Sequence, residues 1–177
     1  VKDPKMIAFI SARYLHVAKT LAGIDRVLEV GCGDAFGAPI VAQSVGVLAC
    51  TDIDEEMIRR NKLALHQEHR NIVFSYHDFR ECPTPDKWRA IYLIDVIEHI
   101  DPSEEGFFMA NLVLSLTGDG VLMIGTPNKT AEKYASEHSR RGHINLKTHD
   151  SLRHLLKQYF KNAFMSSMND CVVHEGF

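Results

Sequence analysis

The chain has 177 residues, enough for one domain, and a net charge of −3 with a pI near 6.4, which leaves no basic excess for gripping a polyanion. Hydrophobic residues make up 45% and charged residues 24%, the balance of a globular protein, with no apolar run near the roughly 18 residues of a membrane-crossing helix. Four scattered cysteines (Cys32, Cys50, Cys82, Cys171) contain no CxxC pair, so neither a zinc site nor a disulfide framework is expected, only reduced, buried thiols.

In chain order, residues 4–22 place Ile7, Ile10, Tyr14, Val17, Ala18 and Leu21 on one helical stripe that stops before Gly23. The start at residues 1–4 leads into this amphipathic segment and not into an apolar core, so no secretory signal is expected and the chain reads as cytoplasmic. RVLEV at 26–30 is a short strand, a glycine-rich turn covers 31–37, and a helix is expected over 38–44. A strand at 47–51, a helix at 55–67 with Asp54 as its cap, and a strand at 71–76 follow.

AIYLI at 90–94 is apolar almost throughout, as a strand covered on both faces of a parallel sheet must be. The pattern then predicts a helix over 103–116, a Gly118-Asp119-Gly120 turn and a strand at 120–125. Residues 126–148 read as a mostly irregular polar loop; a helix at 151–159 capped by Asp150 or Ser151 and a strand near 163–168 complete the pattern. Strands alternating with helices in this way require right-handed crossovers, hence one α/β domain over 1–177 with a doubly wound, mostly parallel sheet flanked by helices. In such sheets ligands sit beyond the carboxyl ends of the strands.

Chemistry concentrates there. Gly31 and Gly33 lack the Cβ atoms that would keep a ligand off the backbone, and the next helix offers free N–H groups. A dinucleotide fingerprint wants G-x-G-x-x-G, but the third glycine falls one place late, at Gly37. Glu29 just before the bend would repel a pyrophosphate and would tolerate a ligand bearing an amino group and a sulfonium. Asp52, about 20 residues on at the end of the second strand, stands where an acid accepts ribose hydroxyls.

With Glu29-Val30-Gly31-Cys32-Gly33-Asp34-Ala35, the sequence resembles the class I S-adenosylmethionine (SAM)-dependent methyltransferases, whose first motif is an acid followed by G-x-G-x-G. Ala35 replaces the last of those glycines. The resemblance implies a Rossmann-like methyltransferase fold, SAM as methyl donor and S-adenosylhomocysteine as its product. It gives Ile53 the adenine face, Asp78 and Phe79 the adenine edge, and Asp95 the junction of donor and acceptor pockets. Arg13 takes the donor's carboxylate, with Glu29, Gly31, Gly33 and Asp52 around the rest of the donor. Phe79 has an equally good role as a core plug.

The segment Asp95-Val96-Ile97-Glu98-His99-Ile100 looks like the D-V-[IL]-E-H stretch of small-molecule methyltransferases. Quinone and RNA-end methyltransferases carry a similar divalent-metal arrangement, but here the first acid is Asp and no second histidine lies nearby, so no metal is expected. In the family, the stretch corresponding to 126–148 closes over the acceptor. That implies acceptor contacts from Asn128 and Asn145, with His143 and His99 as candidate bases, since an imidazole titrates near neutrality. A loop-bracing role for His143 is the plainer alternative.

The implied reaction is methyl transfer to an O, N or C nucleophile of a small molecule of quinone or saccharide type; nucleic acid and membrane are not expected as partners, and a homodimer is left open. An NAD(P)-dependent oxidoreductase and a non-catalytic SAM-binding protein are the competing classes. Family members finish with an antiparallel hairpin, of which CVVHEGF at 171–177 offers at most the beginning. The sheet is therefore expected to lack its last strand, or the chain to be cut short.

Overall fold

Side-chain alternation sorts the strands between two cores. In the computed structural model, which describes residues 4–65, 68–134 and 136–168, β1 (Arg26–Val30) turns Val27 to one face and Leu28 and Val30 to the other. β4 (Trp88–Ile94) does the same with Ala90 and Tyr92 against Ile91 and Leu93, all four fully enclosed. With β2 (Val47–Asp52), β3 (Ile72–Tyr76) and β5 (Leu116–Gly125) they form a sheet in the order β3-β2-β1-β4-β5, every pair parallel.

Helix α1 (Pro4–Thr20), α2 (Ala38–Ala42) and α3 (Glu55–Leu65) cover the first face through Val17, Ala18, Val41 and Ile58. α4 (Glu105–Leu114) and α6 (His149–Tyr159) cover the second through Phe108, Met109, Leu112 and Leu155. Between them α5 (Glu137–Gly142) is a short surface helix. The sheet order reverses between β1 and β4, and the crevice at their carboxyl ends is where a doubly wound sheet takes its ligand.

Several expectations are corrected. The Gly118-Asp119-Gly120 turn does not precede β5 but lies within it as a bulge: Trp88 pairs with Leu116 while Ala90 pairs with Val121, so the extra residues loop out of the ladder. The helix expected over 103–116 therefore stops at Leu114. Thr148, rather than Asp150 or Ser151, caps α6, in a reciprocal capping box with Ser151. Asp54 does cap α3, accepting the Met57 N–H at 3.0 Å.

The polar stretch 126–148 contains a 3-10 helix at Lys129–Tyr134 as well as α5. No strand forms over 163–168, and 171–177 lie outside the described residues. Cys32 and Cys50 are buried free thiols as expected, but Cys82 is exposed; Cys171 lies outside the described residues. Among the described residues, no helix is long and apolar enough to cross a membrane.

Candidate functional site

The bend after β1 is pinned from two sides. Gly31 and Cys32 donate their N–H groups to the Thr51 carbonyl at 2.8 and 3.0 Å, and Asn61 of α3 donates to the Gly33 carbonyl at 2.7 Å. Gly31 has φ +72°, and a Cβ there would stand 2.5 Å from Val96 Cγ2, so only glycine fits. Gly33, at φ +52°, would meet nothing within 4 Å, which leaves that side of the bend open to a ligand. Gly37 is no third ligand glycine: a Cβ there would lie 2.1 Å from Tyr14 Cδ1, so its bareness admits the Tyr14 ring of α1.

Ala35 also adopts a left-handed conformation, φ +55°, which glycine would take with less strain.

Asp52 reaches the bend from the end of β2. Its Oδ2 accepts the Gly33 N–H at 2.8 Å and its Oδ1 accepts the Asp54 N–H at 3.0 Å, holding the half-buried carboxylate beside the open glycine. Ile53 next to it is 55% exposed, a free apolar surface at the crevice.

Glu29 is a different case from the expected donor contact. It is 1% exposed and faces the α1 side of the sheet, where the Cys50 thiol donates to it at 3.3 Å. Burial pushes its carboxyl up to about 7, while the Cys50 thiol and the Tyr92 and Tyr14 hydroxyls beside it pull the other way. Enclosed in this way, Glu29 presents no face open to a ligand.

Asp78 is buried, and Arg80 closes on it. The Arg80 backbone N–H and Nε donate to Oδ1 at 2.9 and 3.0 Å, Nη2 donates to Oδ2 at 2.6 Å, and this pairing holds the carboxyl below its usual range. Phe79 is 2% exposed, its ring edge-on to His77 and Phe108: the core plug of the two readings. On the other side of the crevice Arg13 Nη1 pairs with the carboxylate of Asp95, itself at φ +56°. Arg13 Nε is buried without a hydrogen-bond partner.

Beyond Asp95 a 3-10 turn, Ile97–His99, presents Glu98 and His99. Glu98 is fully buried; its Oε2 accepts Thr126 Oγ1 at 2.9 Å, its Oε1 has no partner, and burial raises its carboxyl above the ordinary range. His99 is exposed, with Nδ1 2.8 Å from the Gly142 carbonyl. A carbonyl only accepts, so Nδ1 is the donor in this pair. His143 arrives from the distant polar segment, its ring edge-on to His99 with centroids 5.1 Å apart. The second histidine that sequence proximity lacked is thus supplied by folding, and ligand atoms of Glu98, His99 and His143 lie within 4.8 Å of one another.

The two asparagines are placed differently from one another. Asn145 is 8% exposed, and its amide is committed to Glu105 Oε2 at 2.7 Å and Lys147 Nζ at 2.9 Å, so its side chain is a brace and not an acceptor contact. Asn128 is exposed, its Oδ1 turned back to the Thr130 N–H at 3.0 Å. Asn61, Thr126, Glu105 and Lys147 escaped the sequence reading as site residues, because each acts through a partner distant in the chain.

An open glycine bend, a carboxylate beside it, and acid and imidazole groups across the crevice define an α/β domain shaped for a nucleoside-bearing ligand. A family model described as a methyltransferase domain matches residues 4–159, and the chain belongs to that family. A relative from Mycobacterium tuberculosis, named for S-adenosylmethionine-dependent methyl transfer, is 28% identical over 104 residues, covering 58% of this chain and 36% of its own. The ubiquinone biosynthesis O-methyltransferase of Rickettsia akari is 28% identical over 134 residues, covering 73% of this chain and 49% of its own. The chain thus spans about half or less of the length of these two relatives.

Among solved structures, the N-methyltransferase NodS from Bradyrhizobium japonicum in complex with S-adenosyl-L-homocysteine superposes with a TM-score of 0.71. At 17% identity it covers 89% of this chain and 76% of that one, which establishes a shared fold.

Proposed function

We propose that residues 1–177 form one donor-binding domain that takes SAM across the Gly31–Gly33 bend and passes its methyl group to a small molecule of quinone or saccharide type. The observation that carries this reading is the Asp52 carboxylate held 2.8 Å from the Gly33 N–H, beside a glycine whose missing Cβ leaves open space. Asp52 is the partner for ribose hydroxyls and Ile53 the apolar face for adenine. Asp78 can serve the adenine edge once Arg80 swings aside. Arg13, with its spare Nε, is the partner for the donor's carboxylate, and Asp95 for its ammonium.

When bound, SAM supplies a sulfonium methyl whose C–S bond breaks as the acceptor's lone pair forms the new bond, leaving S-adenosylhomocysteine. The residues of this chain orient the two reactants and keep water out; charge is dispersed as the bond shifts, so alignment contributes more than proton removal. His99 and His143, whose rings meet edge to face, are the groups that take the acceptor's proton in this reading. The packing of Tyr14 on Gly37 removes the third glycine that a pyrophosphate-binding oxidoreductase would use.

The Glu98–His99–His143 group also fits a divalent cation: it offers one carboxylate and two imidazoles, and the buried Glu98 Oε1 lacks a partner. Asp95 is committed to Arg13 and stays outside this set. A cation there would polarise an acceptor oxygen.

The test is incubation with methyl-labelled SAM and fractionated metabolite extracts. Label should enter a small molecule, and His143→Ala should lose transfer at least tenfold while keeping its S-adenosylhomocysteine affinity. Bound donor with no transfer to any fraction would contradict the enzymatic reading, and full turnover in His143→Ala would remove that residue from the chemistry.

A further inference from the structure

His143 lies 44 residues after His99 (143 − 99 = 44), yet their rings touch edge to face, so something must hold the intervening chain in register. Segment 142–147 is fastened at three points. The Gly142 carbonyl bonds to His99 Nδ1 at 2.8 Å, the Asn145 N–H donates to the Glu98 carbonyl at 2.9 Å, and the Lys147 carbonyl accepts the Lys129 N–H at 2.8 Å. His143 sits between the first two.

Behind the backbone ties lies a charged cluster. Lys147 Nζ pairs with the Glu105 carboxylate at the start of α4, and the two side chains are only 12% and 16% exposed. Asn145 joins them, donating Nδ2 to Glu105 Oε2 at 2.7 Å and accepting from Lys147 Nζ at 2.9 Å. The surface pair Arg89–Asp119, in contrast, is 58% and 67% exposed, and water can replace either partner there. Charges drawn this far from water are tolerated only while paired, so removing one partner releases the other and the backbone attached to it.

We propose that Glu105, Asn145 and Lys147 are positioning residues: their nearly buried ion-pair cluster fixes segment 142–147 on Glu98 and His99 and so holds the His143 ring against His99 at the acceptor side of the site. The catalytic consequence rests on the methyl-transfer reading above; the positioning itself does not.

The experiment compares wild type, Lys147→Met and the conservative Lys147→Arg as full chains, with three readouts: the cross-relaxation peak between the His99 and His143 ring protons, S-adenosylhomocysteine affinity by calorimetry, and label transfer from SAM to extract. Lys147→Met should lose the ring–ring peak, lose transfer at least tenfold and keep its affinity within twofold; Lys147→Arg should restore both losses. Retention of the peak in folded Lys147→Met would overturn the proposal, because a cluster that merely adds stability lowers the melting temperature without moving the ring. Loss of the peak with transfer undiminished would uphold the positioning and overturn the catalytic reading of His143. Should Lys147→Met not fold, Glu105→Gln/Lys147→Met, which removes both charges together, carries the same readouts.

Discussion

Asp52 accepts the Gly33 N–H and, in the proposed site, the ribose hydroxyls, so its substitution should be felt in both. In Asp52→Ala the Gly33 N–H loses the bond that shapes the bend, and the proposed ribose contact loses its acceptor. The expected loss is on the order of 2 kcal/mol of donor affinity, roughly thirtyfold in Kd, read by calorimetry with S-adenosylhomocysteine. An unchanged Kd would show that the ribose is held elsewhere. The residue type and its distance from the glycines were enough to find Asp52 in the sequence, because the strand–bend–helix unit places it there by geometry alone.

Glu29 was legible as a residue but not in its role. Its neighbours Tyr14, Cys50 and Tyr92 come from three other elements, and nothing in RVLEV announces that they will enclose it. A measurable pH dependence follows. The carboxyl moves from an ordinary 4.5 to about 7 in the fold. Between those values the folded state keeps a proton that the unfolded chain releases, so this contribution to stability is complete below about 4.5 and is lost as pH rises through about 7, a swing on the order of 3 kcal/mol. Urea unfolding of Glu29→Gln, which cannot ionise, should show a shallower decline than wild type over that interval. Equal slopes in the two proteins would mean that Glu29 is charged throughout.

At the scale of elements, β1 to β4 were predicted to within two residues: β1, β2 and β4 are marked by the apolar run of a strand buried on both faces, and β3, at the sheet edge, by its β-branched and aromatic residues. β5 was cut short because Gly-Asp-Gly is turn chemistry, and only the pairing of Ala90 with Val121 shows the strand absorbing it as a bulge. The start of α6 was misplaced by two or three residues for a similar reason: several polar residues there can cap, and the Thr148–Ser151 reciprocity decides among them. Thr148→Ala should therefore cost about 1 kcal/mol and lower the melting temperature by a few degrees, while Thr148→Ser retains most of the stability. A melting temperature unmoved by either change would show that the box contributes nothing. Because α6 begins directly after segment 142–147, the same cap anchors the downstream end of the stretch that carries His143.

For the whole molecule, the order β3-β2-β1-β4-β5 puts the glycine bend and Asp95 on adjacent strand ends, where the sheet reverses, and that placement joins donor binding to the acid and imidazole groups across the crevice. The fold class, the glycine bend and the place of Asp52 beside it were legible because they follow from local pattern: a strand, a bend, an acid at a fixed distance; the enclosure of Glu29 and Phe79 was not. The acceptor half was not, because the approach of His143 to Glu98 and His99 and the burial of Asn145 are set by long-range packing. The central claim is that the open bend beside Asp52 is a SAM site, and calorimetry on the wild-type chain tests it most directly. SAM and S-adenosylhomocysteine should each bind at a single site while NAD gives no heat; NAD binding with neither of the other two would contradict it.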